Sequence, residues 1–146
     1  MNTQPDFEEL LRLLEEHRVD YMIVGGYAVA YHGYPRFTKD IDIFYDGSSL
    51  NIQRLRCALT DFGFGENDVP ADLFATKGEI VTFGVVPVRV DLLNDIDGVI
   101  FADARTRAVR GAYGRTEVTF ISRDDLVRNK LSTERAKDKA DVEELG

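Results

Sequence analysis

The apolar positions recur at helical spacing from the start of the chain. Phe7, Leu10, Leu11 and Leu14 fall on one face of residues 5–17, where the acids cluster early, and this predicts an amphipathic helix. Tyr21-Met22-Ile23-Val24 is a wholly apolar run of strand length, ended by Gly25-Gly26. Residues 27–32 then read as a short helix closed by Gly33 and Pro35. Residues 38–45 predict a strand with Asp46-Gly47-Ser48 as its turn, followed by a helix over 50–62 carrying Ile52, Leu55, Leu59 and Phe62. Residues 63–78 are rich in Gly and give no clear pattern. Ile80 to Phe83 and Val88 to Leu93 predict two strands joined through Gly84 to Pro87, and residues 99–108 predict a helix. Arg110 to Tyr113 and Thr116 to Ile121 predict a hairpin around Gly114-Arg115. Ser122 and Asp125 have the spacing of a capping box at the start of a helix, and a last helix is expected over 134–145. The sum is an α+β (or mixed α/β) chain, a small mixed sheet flanked by helices with further helices at its C-terminal end.

Bulk composition narrows the chemistry. The 146 residues fit one domain, with a core over about 18–121 and a helical segment over about 122–146. No apolar stretch approaches a membrane span, and the first residues lack a basic start and an apolar signal core, so a cytoplasmic location is expected. Cys57 is the lone cysteine, and with only His17 and His32 the chain cannot build a His/Cys zinc site. Any catalytic metal would therefore be a hard, oxygen-ligated ion such as Mg²⁺ or Mn²⁺. The net charge is −8, and it is unevenly spread. Residues 1–100 carry 8 Lys/Arg against 17 Asp/Glu, whereas residues 101–146 carry 10 against 9. A protein this acidic is a poor general binder of duplex DNA, although cations of its last third can still meet a nucleotide or a tRNA end.

The chemistry-bearing pattern lies in the middle of the chain. Asp40 and Asp42 are two apart on a predicted strand, so both carboxylates project from one face while Ile41 and Ile43 point the other way. Two-metal chemistry needs cations roughly 3.5–4 Å apart, a spacing that paired carboxylates can bridge. Held together without a metal, the two acids repel and raise each other's pKa. An Asp-x-Asp pair is also common on ordinary exposed strands, and it gains weight here from its neighbours. Gly25-Gly26 stands at a strand-to-helix junction, where glycine lets backbone come close to a phosphate and a helix start offers free N–H groups. Asp91 interrupts the apolar run Val88-Arg89-Val90-Asp91-Leu92-Leu93, where a solitary carboxylate is expensive. Arg36 and Lys39 flank the acid pair as candidate phosphate grips, Arg36 in the bidentate manner, or simply balance its charge. His32 is either a tie for the end of the short helix or a catalytic group, and Thr38 either orders the approach to the strand or is only a β-former.

Together, the glycine pair, the short helix, the acid-apolar-acid strand and the later third acid resemble the nucleotidyltransferase superfamily that includes DNA polymerase beta. Within it the chain is similar to small prokaryotic AbiEii-type toxins and minimal nucleotidyltransferases. The resemblance is carried by the block from Gly25-Gly26-Tyr27 through Tyr31-His32-Gly33-Tyr34-Pro35-Arg36-Phe37-Thr38-Lys39 to Asp40-Ile41-Asp42. Lys130, Arg135, Lys137, Asp138 and Asp141 near the end add to it. It implies that Asp40 and Asp42 ligate two Mg²⁺ or Mn²⁺ ions, and that Asp91 ligates the one activating the acceptor hydroxyl. It further implies that Gly25 and Gly26 line the triphosphate of an NTP, that Lys130 reaches the nucleotide or braces the site, and that attack at the α-phosphate releases pyrophosphate. The acceptor would be a protein, an RNA end or a small molecule, in some cases within a toxin–antitoxin or defence system with a cognate partner. Asp138 and Asp141, three apart on one helix face, pair more naturally with Arg135 or Lys137 than with metal.

The chain departs from that pattern in one respect. Tyr27-Ala28-Val29-Ala30 follows the glycines where many minimal nucleotidyltransferases carry an Arg, so the nucleotide grip must come from elsewhere, with Arg36 and Lys130 as candidates. The departure leaves open a catalytically weak module that only binds nucleotide or partner. A metal-dependent phosphohydrolase is a third reading, one that lacks a His-rich ligand set.

Overall fold

The computed structural model describes residues 3–34, 39–85 and 88–133. The elements run α1 (Pro5–Glu16), β1 (Tyr21–Val24), α2 (Gly25–Tyr31), β2 (Asp40–Tyr45), α3 (Ser49–Phe62), α4 (Ala71–Ala75), β3 (Ile80–Val85), β4 (Val88–Leu93), α5 (Phe101–Arg105), β5 (Val109–Tyr113), β6 (Thr116–Phe120) and α6 (Arg123–Leu131). Six strands form one sheet in the order β3-β4-β2-β1-β6-β5. The central strand β2 pairs antiparallel with β1 and parallel with β4, β1 pairs parallel with β6, and the antiparallel pairs β3–β4 and β5–β6 complete the two flanks. This is a mixed α+β architecture, as the patterning predicts.

Most elements start and stop where local chemistry directs. Pro5 opens α1, where its missing N–H is no loss, and Asp6 and Glu8 face the helix's positive end. Ser48 accepts from the Asn51 backbone to cap α3, and Gly63 ends it at a φ of 129°. Two expectations are corrected, and one segment without a pattern is resolved. The glycine pair is not a turn ahead of a helix at Tyr27; Gly25 and Gly26 are the first residues of α2. The predicted helix over 99–108 shrinks to α5, because Val109 is recruited to the sheet opposite Phe120. Residues 63–78 hold a 3-10 turn at Glu66–Asp68 and the short α4. The expected helix over 134–145, with Arg135, Lys137, Asp138 and Asp141, lies outside the described residues, as do Arg36 and Thr38.

Strand alternation divides β2 between two environments. Ile41, Ile43 and Tyr45 are fully buried on one face, where the Tyr45 hydroxyl donates to the Phe74 carbonyl of α4 at 2.9 Å. Phe7, Leu10, Leu11 and Leu14 of α1 and Leu55 and Leu59 of α3 are buried in the same core as α1 packs on α3 and β6. Each such side chain contributes about 1.5–3 kcal/mol by leaving water. Asp40, Asp42 and Phe44 share the other face, where Phe44 meets Phe101 of α5 edge-on at 5.1 Å. Asn51 pins the far end of the β1–β2 pair. It accepts from Asp20 N at 2.6 Å and donates to the carbonyls of Asp20 (3.0 Å) and Asp46 (2.7 Å).

The C-terminal helix is anchored by a buried acid. Ser122 Oγ accepts from Asp125 N at 3.1 Å, so the predicted cap forms. The Asp125 carboxylate receives a two-pronged grip from Arg107 at 2.9 and 3.0 Å, together with hydrogen bonds from Arg128 and from the Ser122 hydroxyl. Among the described residues, no helix is long and apolar enough to cross a membrane.

Candidate active site

The register between β2 and β4 assembles the acids. Asp42 is the direct partner of Asp91, and Asp40 that of Arg89, so all four side chains stand on one face of neighbouring parallel strands. On its other side Asp42 is registered with Val24, the last residue of β1. Gly25 follows at a φ of +68°, and a Cβ there would overlap Asp42 Oδ2 and lie 3.1 Å from its Cγ. Glycine is thus required twice over at this position, for the backbone conformation and for the room the carboxylate takes.

Among the described residues, burial and like charge outweigh counter-charge at Asp42. The Asp42 carboxyl is pushed up to about 7, first by burial and then by the charge of Asp91, a hydrogen bond to Asp91 and the charge of Asp40; the charge of Lys130 opposes the shift. Asp91, 14% exposed, accepts from the Thr82 hydroxyl at 2.8 Å and from Arg89 Nε at 3.2 Å. Arg89 Nε also lies 4.0 Å from Asp40 Oδ2. Asp40 Oδ1 is buried and has no hydrogen-bond partner among the described residues.

A cleft of about 430 Å³ opens beside Asp42 and Asp91, bounded by Val24, Gly25, Leu93 and the 95–97 loop on one side and by Asn129, Lys130 and Thr133 on the other. Lys130 is only 8% exposed, held at the cleft by α6, which packs against α2. The structure therefore brings together Gly25, Asp42, Asp91 and Lys130, with Asp40 two residues back along the same face of β2. Gly26 follows Gly25 in the first turn of α2. Lys39 is exposed just before β2 and is not among the described residues lining the cleft. His32 Nε2 donates to the Ile121 carbonyl at 2.7 Å, tying the end of α2 to the lead-in of α6.

Sequence reasoning missed Arg89, Asp95, Asp97 and Asn129. Arg89 was findable, since a residue two before Asp91 on a strand shares its face. The others reach the cleft from a loop and a helix far along the chain, and Asn129 donates to the Asp97 carbonyl at 2.9 Å to join the two.

Among the described residues, no three His, Cys, Asp or Glu side chains converge tightly enough to form a ready-made cage for an ion. The donor chemistry nonetheless suits a hard divalent cation. Asp42 and Asp91 are held against their mutual repulsion, and an Asp40 oxygen without a partner among the described residues stands nearby. A divalent cation held by these acids would offset the charges of Asp91 and Asp40, which together with burial raise the Asp42 pKa.

Two parallel strands that present acids in register beside a glycine-started helix, within a mixed sheet, have the build of a nucleotidyltransferase. The chain belongs to the family described as Nucleotidyl transferase of unknown function (DUF2204), whose model matches residues 3–146. Comparison with curated proteins yields no match. Among solved structures the chain is similar to the lincosamide antibiotic adenylyltransferase LnuA in its lincomycin-bound form. The two are 17% identical with a TM-score of 0.58, over 99% of this chain and 98% of that one. At that identity the likeness is one of fold.

Proposed function

We propose that this chain, working as a single domain in the cytoplasm, moves a nucleoside monophosphate from an NTP to an acceptor hydroxyl and releases pyrophosphate. The observation that carries the reading is the registered Asp42–Asp91 pair, in which burial first, and then the neighbouring charge of Asp91, pushes the Asp42 carboxyl up to about 7. Such an arrangement is unfavourable for a folded protein by itself and favourable as a cation site. Asp42 and Asp91, with Asp40, would hold Mg²⁺ or Mn²⁺, two ions in the full reading, and the metal would offset charge on the attacking and leaving oxygens. Gly25 and Gly26, at the start of α2, would line the triphosphate beside Asp42, and Lys130 would reach the nucleotide from α6. Arg36 and Lys39 are further phosphate grips in this reading, Lys39 the more peripheral.

A small-molecule hydroxyl is the favoured acceptor. The cleft volume is that of a small-ligand pocket, and LnuA, which shares the fold, is an adenylyltransferase of a lincosamide antibiotic. A protein or RNA end, in a toxin–antitoxin or defence setting, is the other arm. A second reading, binding without transfer, draws on Arg89, whose guanidinium already stands between Asp40 and Asp91.

The test is incubation with each α-labelled NTP and Mg²⁺, first with a panel of hydroxylated small molecules and then with a cell lysate. We expect pyrophosphate release and a labelled acceptor, both lost in Asp91→Asn. Nucleotide binding with no labelled product from any acceptor would leave the second reading, and release of inorganic phosphate would point to hydrolysis.

A further inference from the structure

We propose that a cleft at the opposite end of β1 is a second ligand site, which takes a small organic oxyanion (a carboxylate or a phosphate monoester on a flat apolar body) in the grip of Arg18 and Arg105. This cleft, of about 390 Å³, shares no lining residue with the acid-bearing one. β1 gives Val24 to the acid-bearing cleft and Tyr21 and Met22 to this one. Its size is that of a small-ligand pocket.

The local charge runs against that of the chain. The protein carries −8 overall, yet Arg18, Arg105 and Arg110 line this cleft against Glu15 and Asp20. Both acids are already answered. Glu15 accepts from Arg110 at 2.8 and 3.0 Å and from the Tyr21 hydroxyl at 2.5 Å. Asp20 lies 3.3 Å from Arg105 Nη1. Arg18 is exposed, and its side chain has no partner among the described residues. Arg105 is available as well, because its side chain is 62% exposed and a surface ion pair of this kind is weak enough to be exchanged for a ligand's oxygens. Guanidinium forks match the planar edge of a carboxylate or phosphate.

The backbone at Arg18 points the same way. Past Glu16, α1 closes in a Schellman motif, with Val19 N–H donating to the Leu14 carbonyl at 3.0 Å and Arg18 N–H to the Glu15 carbonyl at 3.1 Å. The motif puts Arg18 in the left-handed region at a φ of 56°, in the position that glycine usually fills. Glycines aside, Arg18 alone among the described residues has a positive φ. The fold bears a conformational cost to keep a side chain there, and no ion pair or hydrogen bond of that side chain with a described residue accounts for it. The apolar side of the cleft, Met22 with half-buried Phe101 and Ala108, suits a ring carried on the oxyanion.

The test is calorimetric titration of the metal-free full chain, at fixed ionic strength, with phenyl phosphate, benzoate and inorganic phosphate. We expect saturable binding of one phenyl phosphate or benzoate per chain, and the tighter of the two names the source of the oxyanion. Arg18→Gly and Arg105→Gln should each weaken it at least about tenfold. Arg12→Gln, which removes the same charge from the exposed face of α1, should stay within about twofold of wild type. Without ligand, Arg18→Gly should melt higher than wild type, since glycine adopts the left-handed conformation freely. The site would be overturned by the absence of saturable binding of any probe, by Arg18→Gly binding as tightly as wild type, or by a loss confined to Lys130→Ala, which would put the anion in the acid-bearing cleft. Inorganic phosphate bound as tightly as phenyl phosphate would overturn the apolar body. Arg18→Gly melting below wild type would make Arg18 a part of the fold and not of the site.

Discussion

Two sheltered aspartates in this molecule have opposite surroundings. Asp125 is fully buried at the start of α6, and burial pushes its carboxyl up. Hydrogen bonds from Arg107 and Ser122 and the charges of Arg107 and Arg128 outweigh that push, so its pKa ends lowered. Asp42 is sheltered on the sheet, yet its near neighbours are Asp91 and Asp40, and its pKa rises to about 7. The first acid is supplied with partners by the fold and stabilises it. The second has, among the described residues, more like charge than counter-charge around it, the kind of surrounding expected of a group that serves a site rather than the fold.

The sharpest way to break that comparison is Asp42→Asn, which keeps the shape and removes the charge. Between pH 3.8 and about 7 the folded protein holds a proton on Asp42 that the unfolded chain has released, with Asp91, Asp40, Arg89 and Lys130 as the charged groups around it. Metal-free stability therefore falls as pH rises through that window. Asp42→Asn should melt higher than wild type at pH 8 and equal to it at pH 4, and added Mg²⁺ should raise the melting temperature of the wild type more than that of the variant. Transfer should drop roughly 10³-fold, and scanning calorimetry with a pyrophosphate assay reads both effects. Asp125→Ala should behave in the opposite sense. It should cost on the order of 2 kcal/mol at pH 7, and the loss should shrink as pH falls through the lowered pKa of Asp125, as denaturant titrations at several pH values would show. Two lysines give the smallest effects. Lys130→Ala, beside Asp42, should raise the KM for NTP about tenfold, whereas exposed Lys39→Ala should change it by about twofold or less.

The same contrast explains what could be read from the chain. The apolar faces of α1 and α3 and the run of β1 are local patterns, and they appear where periodicity puts them. The capping spacing of Ser122 and Asp125 is local too, but the partners of Asp125 are not, since Arg107 lies on the far side of the β5–β6 hairpin. Asp40 and Asp42 are legible because a strand forces them onto one face. That Asp91 registers with Asp42 rather than Asp40 is set by strand pairing, which no window of sequence contains. Arg89 and the 95–97 loop entered the site for that same reason. The short α5 shows tertiary structure overriding propensity, since Val109 has more to gain opposite Phe120 than in another helical turn.

The clasp made by Asn51 on Asp20 and Asp46 has a consequence for heredity as well as for mechanics. By fixing how the β1–β2 ribbon is threaded, it rules out a one-step slip that would turn Ile41 and Ile43 outward and drive two aspartates into oil. Solubility and chemistry are then decided by one and the same alignment, and a lineage that keeps the chain foldable keeps positions 40 and 42 facing the cleft, whatever residues occupy them.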